Sequence, residues 1–208
     1  PPEGPHRGFK KYLERLACRI LDELKAATAK GMTPRLFPEP LFHCGWAVVT
    51  RDPLLRFERL VYQGVRRAEE LALRHERDAS ENRLAHLEEI IAENQLSTVF
   101  QPIVYLNDLN IFGYEALARV PGVDYFSDAE ILFSFAVGTE LILQLERLCR
   151  RNALESLKEI GKGVKLFLNT SAKAIEDPEL RDDGFFKMVR EKGLDSKDIV
   201  LEITEKLA

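Results

Sequence analysis

Apolar positions Phe9, Leu13, Leu16, Ile20 and Leu24 recur at helical spacing and Gly31 offers a stop, so the pattern predicts an amphipathic helix over Phe9–Lys30. Three prolines between Met32 and Pro40 predict a loop. Phe42 to Thr50 is a short apolar run and reads as a strand. Asp52-Pro53 is a helix start, with Asp as cap and Pro in the first turn. A heptad-like seam of Leu54, Phe57, Val61, Gly64, Ala68 and Leu71 follows and breaks at His75 and Asp78. Leu84, Leu87 and Ile91 continue out of phase with it, which means either one helix with a stutter or two helices. Such a stretch is either a domain-packing helix followed by a charged linker helix, or a dimerising signalling helix.

The texture changes at Thr98. Val99–Leu106 and Ile111–Arg119 read as strands joined by the turn-prone Asn107-Asp108. Ser127 and Glu130 form a capping box ahead of a helix, and a longer helix runs on to about Ile160 and ends at Gly161. Val164–Leu168 reads as a buried strand, Gly184–Lys192 as a short helix stopped by Gly193, and Ile199–Thr204 as a further strand. Strand, helix, strand, helix, strand is the rhythm of a parallel α/β fold.

Composition adds limits. The chain has 208 residues, 45% apolar and 31% charged, with formal net charge −4. That is ordinary for a globular protein. Lys and Arg are scattered, which argues against a nucleic-acid polymer as partner. One local Arg is still enough to engage the phosphate of a small ligand. Three distant cysteines, Cys18, Cys44 and Cys149, fit reduced and mostly buried thiols of a cytoplasmic protein. No apolar run reaches the ~18 residues of a membrane span, and Pro1–Lys11 lacks the apolar core of a signal peptide.

Candidate chemistry emerges from strand parity. Side chains alternate faces along a strand, so Glu115, Leu117 and Arg119 share one face of theirs. In the last strand, Ile199, Leu201 and Ile203 suit packing under helices, which turns Val200, Glu202 and Thr204 toward a sheet or barrel interior. A carboxylate there is costly unless paired or metal-bound. Asn169 falls at the carboxyl end of the middle strand, where α/β sheets and barrels place their sites. Glu115, Asn169 and Glu202 are hard oxygen donors with no His or Cys nearby, a set that suits Mg²⁺ or Mn²⁺ rather than zinc. Arg119 can hold phosphate oxygens bidentately. From the residues alone, a structural ion pair is the other reading of a buried strand Glu. His43, His75 and His86 lack metal-like spacing and read as surface or packing residues, and Trp46 reads as core.

Phe100-Gln101-Pro102-Ile103-Val104, Gly113-Tyr114-Glu115-Ala116-Leu117-Ala118-Arg119, Leu168-Asn169-Thr170-Ser171 and Leu201-Glu202-Ile203-Thr204-Glu205 follow one another in order. Together they resemble the early motifs of the EAL domain family, over about Leu96–Ala208. The resemblance implies a partial TIM-like (β/α) barrel of the EAL type whose first strand runs antiparallel. It implies metal-dependent hydrolysis of cyclic di-GMP to a linear dinucleotide with Mg²⁺ or Mn²⁺. It makes Glu115, Asn169 and Glu202 metal ligands and Gln101 and Arg119 substrate contacts, while Glu205 matches a second glutamate of its motif. The family's Asp-Asp pair and catalytic Lys would fall beyond Ala208, so the general base is expected outside this sequence, and neither metal affinity nor hydrolysis is expected of this stretch alone, because two-metal chemistry needs ligands from both halves. Two positions depart from the pattern: Val120 replaces an aromatic, and Ala136-Val137 replaces Ala-Glu.

Gly45-Trp46-Ala47-Val48-Val49 and Leu55–Leu60 resemble the end of a degenerate GGDEF-type domain, with an unrelated helix–strand–helix cap as the alternative. The expected division is a GGDEF-like region over 1–78, a linker helix over 79–96 and the amino-terminal half of an EAL domain over 97–208. A start at Pro1 without Met reads as an excised fragment, and half a barrel predicts oligomeric, swapped or poorly ordered behaviour. The expected role is cyclic di-GMP signalling, as phosphodiesterase, as inactive receptor, or as an interaction module that forms a homodimer through helices in 53–94.

Overall fold

The computed structural model describes residues 6–31, 42–120, 125–157 and 163–204. The chain divides into two compact units, Pro1–Leu84 and Ala85–Ala208.

In the first unit, helix α1 (His6–Gly31) carries the predicted stripe, with Phe9, Tyr12, Ile20 and Leu24 largely exposed. Helix α2 (Phe57–Ala92) runs unbroken from this unit into the next, so the change of phase near His75 is a stutter within one helix. The strand expected over Phe42–Thr50 is not formed; these residues adopt no regular element. A strand needs a ladder partner, and the described residues of this unit supply only helices. The segment packs on α2 instead. A Cβ on Gly45 would fall 1.7 Å from the Ala68 carbonyl oxygen, and one on Gly64 would fall 2.5 Å from Val49 Cγ2. His75 Nδ1 lies 3.1 Å from the Cys44 carbonyl oxygen. The middle of the predicted seam is thus covered by the chain's own Cys44–Val49. Asp52-Pro53 makes a turn ahead of α2, with Asp52 accepting from the Leu54 N–H at 2.9 Å.

The second unit is a four-stranded sheet among the described residues, in the order β1 (Ser97–Val104), β2 (Ile111–Arg119), β3 (Lys165–Ser171), β4 (Ile199–Thr204). β1 pairs antiparallel with β2, and β2, β3 and β4 run parallel. The antiparallel first strand matches the expectation. Helices α3 (Ala129–Val137) and α4 (Ile142–Ser156) fill the crossover from β2 to β3. The short α5 (Pro178–Arg181) and α6 (Gly184–Glu191) fill the next crossover. The cap of α3 is Asp128, whose carboxylate accepts from the Ile131 N–H at 2.9 Å; the expected cap Ser127 lies one residue too early. The expected end of the long helix at Ile160–Gly161 lies outside the described residues, and α4 is described to Ser156.

Two cores hold this unit. Leu87 and Ile90 of α2 pack with Phe126, Leu132, Ala136, Ile142 and Leu145. Val137 packs against that cluster, which accounts for an apolar residue where the family pattern has Glu. Ala153 and Leu154 of α4 and Phe185 and Val189 of α6 pack on Leu166 and Leu168, with Phe100, Ala116, Ile199 and Leu201 around them. One face of the sheet is therefore covered by helices, and the other is left for the site. Among the described residues no helix is long and apolar enough to cross a membrane. The three cysteines are free; Cys18 is exposed rather than buried, and Cys44 and Cys149 are half-buried.

Candidate functional site

Register decides what meets on the uncovered face. Gln101 lies opposite Glu115 across β1 and β2, Glu115 is level with Phe167 on β3, and Asn169 lies opposite Glu202 across β3 and β4. Since Phe100, Ala116, Leu168 and Leu201 face the helices, Gln101, Glu115, Asn169 and Glu202 project from the other side. Gly113 belongs to this face too: a Cβ there would stand 2.7 Å from both the Lys165 carbonyl oxygen and Phe167 Cε2. The absence of a side chain lets β2 and the Phe167 ring close up beneath the polar row.

Asn169 Nδ2 donates to Glu115 Oε1 at 2.8 Å, so strand β3 ties its amide to the carboxylate of β2. Glu202, on the far side of Asn169, is half-buried. Burial first, and then the neighbouring Glu115 charge, holds its carboxyl above the usual carboxylate range. Among the described residues neither Glu115 nor Glu202 has an ion-pair partner. Two carboxylates and an amide thus share one face with their negative charge uncompensated. Their donor atoms are all hard oxygens, which fits a divalent cation of the Mg²⁺, Mn²⁺ or Ca²⁺ kind.

Arg119 sits at the exposed end of β2, with Nη1 donating to the Ala118 carbonyl oxygen at 3.0 Å. It does not pair with Glu115 in the described structure. Gln101 is exposed beside Glu115. Glu205 lies outside the described residues.

Sequence reasoning missed a buried ionic cluster behind the carboxyl end of β3. Arg150 is 2% exposed and Asp177 is fully buried. Arg150 Nη2 donates to Asp177 Oδ2 at 2.7 Å and to Glu179 Oε2 at 3.0 Å. Arg147 forks onto the same Asp177, with Nη2 at 2.6 Å and Nε at 3.1 Å from Oδ1. Glu146, also buried, pairs with Arg150 at 3.5 Å, and its Oε1 accepts the Ser171 N–H at 3.0 Å. Burial tends to raise the Asp177 carboxyl, but the Arg147 hydrogen bonds and charge outweigh it and hold the group below the usual range. Burial pushes Glu146 the other way, upward. The available signal was the opposite-charge pair Glu146/Arg150 at i,i+4, on the helix face that also carries Ala153 and Leu154.

A mainly parallel sheet with helices on one face and an acidic row on the other makes this an α/β protein, with the strands and helices of an incomplete (β/α) barrel. The EAL domain family model matches residues 84–208, and the chain belongs to that family. Among solved structures, the FimX EAL domain is 26% identical with a TM-score of 0.50, over 61% of this chain and 52% of that one. The Xanthomonas citri FimX EAL domain in complex with c-diGMP is 18% identical with a TM-score of 0.54, over 64% and 52%. The PaMucR phosphodiesterase in its c-di-GMP complex is 22% identical with a TM-score of 0.52, over 60% and 52%. The last two establish the fold. The chain spans about half the length of these structures. A comparison with curated proteins finds no match.

Proposed function

We propose that this chain supplies one wall of a cyclic di-GMP site and that the protein acts in cyclic di-GMP signalling as a metal-dependent phosphodiesterase. The observation that carries the reading is the row of Glu115, Asn169 and Glu202 on the uncovered face, in a chain of the EAL family. In this reading the three residues hold Mg²⁺ or Mn²⁺, and Gln101 and Arg119 contact the nucleotide. The metal, when bound, supplies charge stabilisation at the phosphate and an acidified water. The protein's own part is to hold the donors in place, with Asn169 fixed to Glu115, and to present a guanidinium for phosphate oxygens. A bound cation would offset the burial and the Glu115 repulsion that raise the Glu202 carboxyl, and it would displace the proton that Glu202 otherwise keeps.

Calorimetry with cyclic di-GMP, with and without Mn²⁺, on a protein carrying the complete EAL domain and on its Glu115→Ala variant tests this. Metal-enhanced binding that Glu115→Ala weakens by about tenfold or more is expected. Binding equal in both proteins would sink the metal role of Glu115. A second reading, an inactive receptor, draws on Gln101 and Arg119, which lie exposed at the acidic row as contacts that need no metal. Undiminished cyclic di-GMP binding in EDTA would favour it.

Residues 1–78 are read as the end of a GGDEF-like domain and 79–96 as a linker helix, on motifs that lie before the stretch matched from residue 84. A cytoplasmic location fits the free cysteines. A homodimer through 53–94 would use Tyr62, Val65, Leu73 and Leu84, exposed apolar residues on one stripe of α2. A neighbouring stripe, at Gly64, Ala68 and Ala72, is occupied by Cys44–Val49.

A further inference from the structure

We infer that Glu146 is a positioning residue for Asn169, acting through the backbone N–H of Ser171 at the carboxyl end of β3. The inference rests on the proposed reading of Asn169 as a metal ligand and adds what sets its position.

Strand β3 has to place one short side chain between two carboxylates. Its end is free of neither element around it. Two residues past Asn169, the Ser171 N–H is held by Glu146 Oε1 at 3.0 Å. A 3-10 turn over Ala172–Glu176 follows, and directly after it Asp177 is held by Arg147 and Arg150. Glu146, Arg147 and Arg150 all belong to α4, so one helix grips the connection at both ends. Three of the gripping groups are buried, where water competes least for their hydrogen bonds: Glu146 and Arg150 are each 2% exposed and Asp177 is 0%, while Arg147 reaches Asp177 from a half-exposed position. Arg150 links the two grips by pairing with both Glu146 and Asp177. The ladder with β4 holds Ser171 from the sheet side, and Glu146 holds its N–H from the helix side. What the grip does fix is the height and tilt of the strand end, and so the reach of Asn169 Nδ2 to Glu115 Oε1.

The test follows the Asn169 side-chain amide in ¹⁵N–¹H spectra of the 208-residue chain, with Glu115→Ala giving the position of that amide when its acceptor is gone. In Glu146→Leu the Asn169 resonances should move toward their Glu115→Ala positions. Glu146→Gln keeps an acceptor for Ser171 and should hold them at wild type. Ser171→Pro is the second route should Glu146→Leu not fold: it removes the N–H donor together with the hydroxyl while leaving Glu146 in place, and the Ser171 φ of −76° already suits proline. Wild-type Asn169 resonances in a folded Ser171→Pro or Glu146→Leu protein would overturn the inference, leaving Glu146 a purely structural residue. A Mn²⁺ titration of the same substitutions in a protein carrying the complete EAL domain should show affinity about 10–100-fold weaker in Glu146→Leu than in wild type. Mn²⁺ uptake indifferent to Glu115→Ala would instead remove the metal reading, while the Asn169 spectra still decide the positioning role.

Discussion

Glu202 shows how a single residue carries two roles that oppose each other. Its carboxyl is held above the usual range by burial and by Glu115. The folded state therefore keeps a proton that the unfolded chain has lost, and stability falls as pH rises from the ordinary carboxylate value of about 4.3 through the raised one. Above that window the full cost is present. Glu202→Gln should accordingly raise the melting temperature at neutral pH without metal and give no gain below about pH 4, where both states are protonated. Calorimetric scans at the two pH values check this; a lower melting temperature for the variant at pH 7 would contradict it. The position and face of Glu202 were legible in the alternation of Ile199, Leu201 and Ile203 with their neighbours. Its proximity to Glu115 was not, because those residues lie 87 positions apart and meet only through the β2–β3–β4 register.

At the scale of elements, local pattern succeeded where burial and period agree. β2 and β4 fall where alternation puts them, Ile111–Arg119 and Ile199–Thr204. It failed over Phe42–Thr50, where an apolar run reads as a strand but finds a helix instead of a ladder partner. It also could not foresee that the carboxyl end of β3 is gripped from α4, since a charged pair on a helix usually marks a solvated face. The energetics of that grip are testable. Asp177→Asn leaves the buried guanidinium of Arg150 and the fork of Arg147 short of their shared counter-charge. Such a loss should cost about 3–5 kcal/mol at pH 7, read from urea denaturation. The Asp177 carboxyl is depressed in the fold, so its contribution is full above the ordinary carboxylate range and fades as pH falls through the folded value. The gap between wild type and Asp177→Asn should therefore narrow in acid; a gap independent of pH would contradict the assignment.

At the scale of the whole molecule, the sheet of the second unit is open among the described residues, with β1 and β4 as its edges. Beside β4, Thr170, Ile175, Leu180, Arg181, Phe186, Leu201 and Ile203 line a mostly apolar hollow of about 140 Å³, and Ile203 is 56% exposed. An open edge next to exposed apolar surface invites pairing between copies. Sedimentation velocity of the 208-residue chain should show association that grows with concentration, and a strictly monomeric profile at high concentration would contradict it. The sequence by itself determined the family, the strand parities and the chemical character of the candidate ligands, because those depend on residue type and on spacing within one element. Only the tertiary structure decided that Asn169 bonds to Glu115, that Glu202 feels the same charge, and that α4 holds the end of β3. Those facts depend on register and on which helix faces which strand, and no local period encodes them.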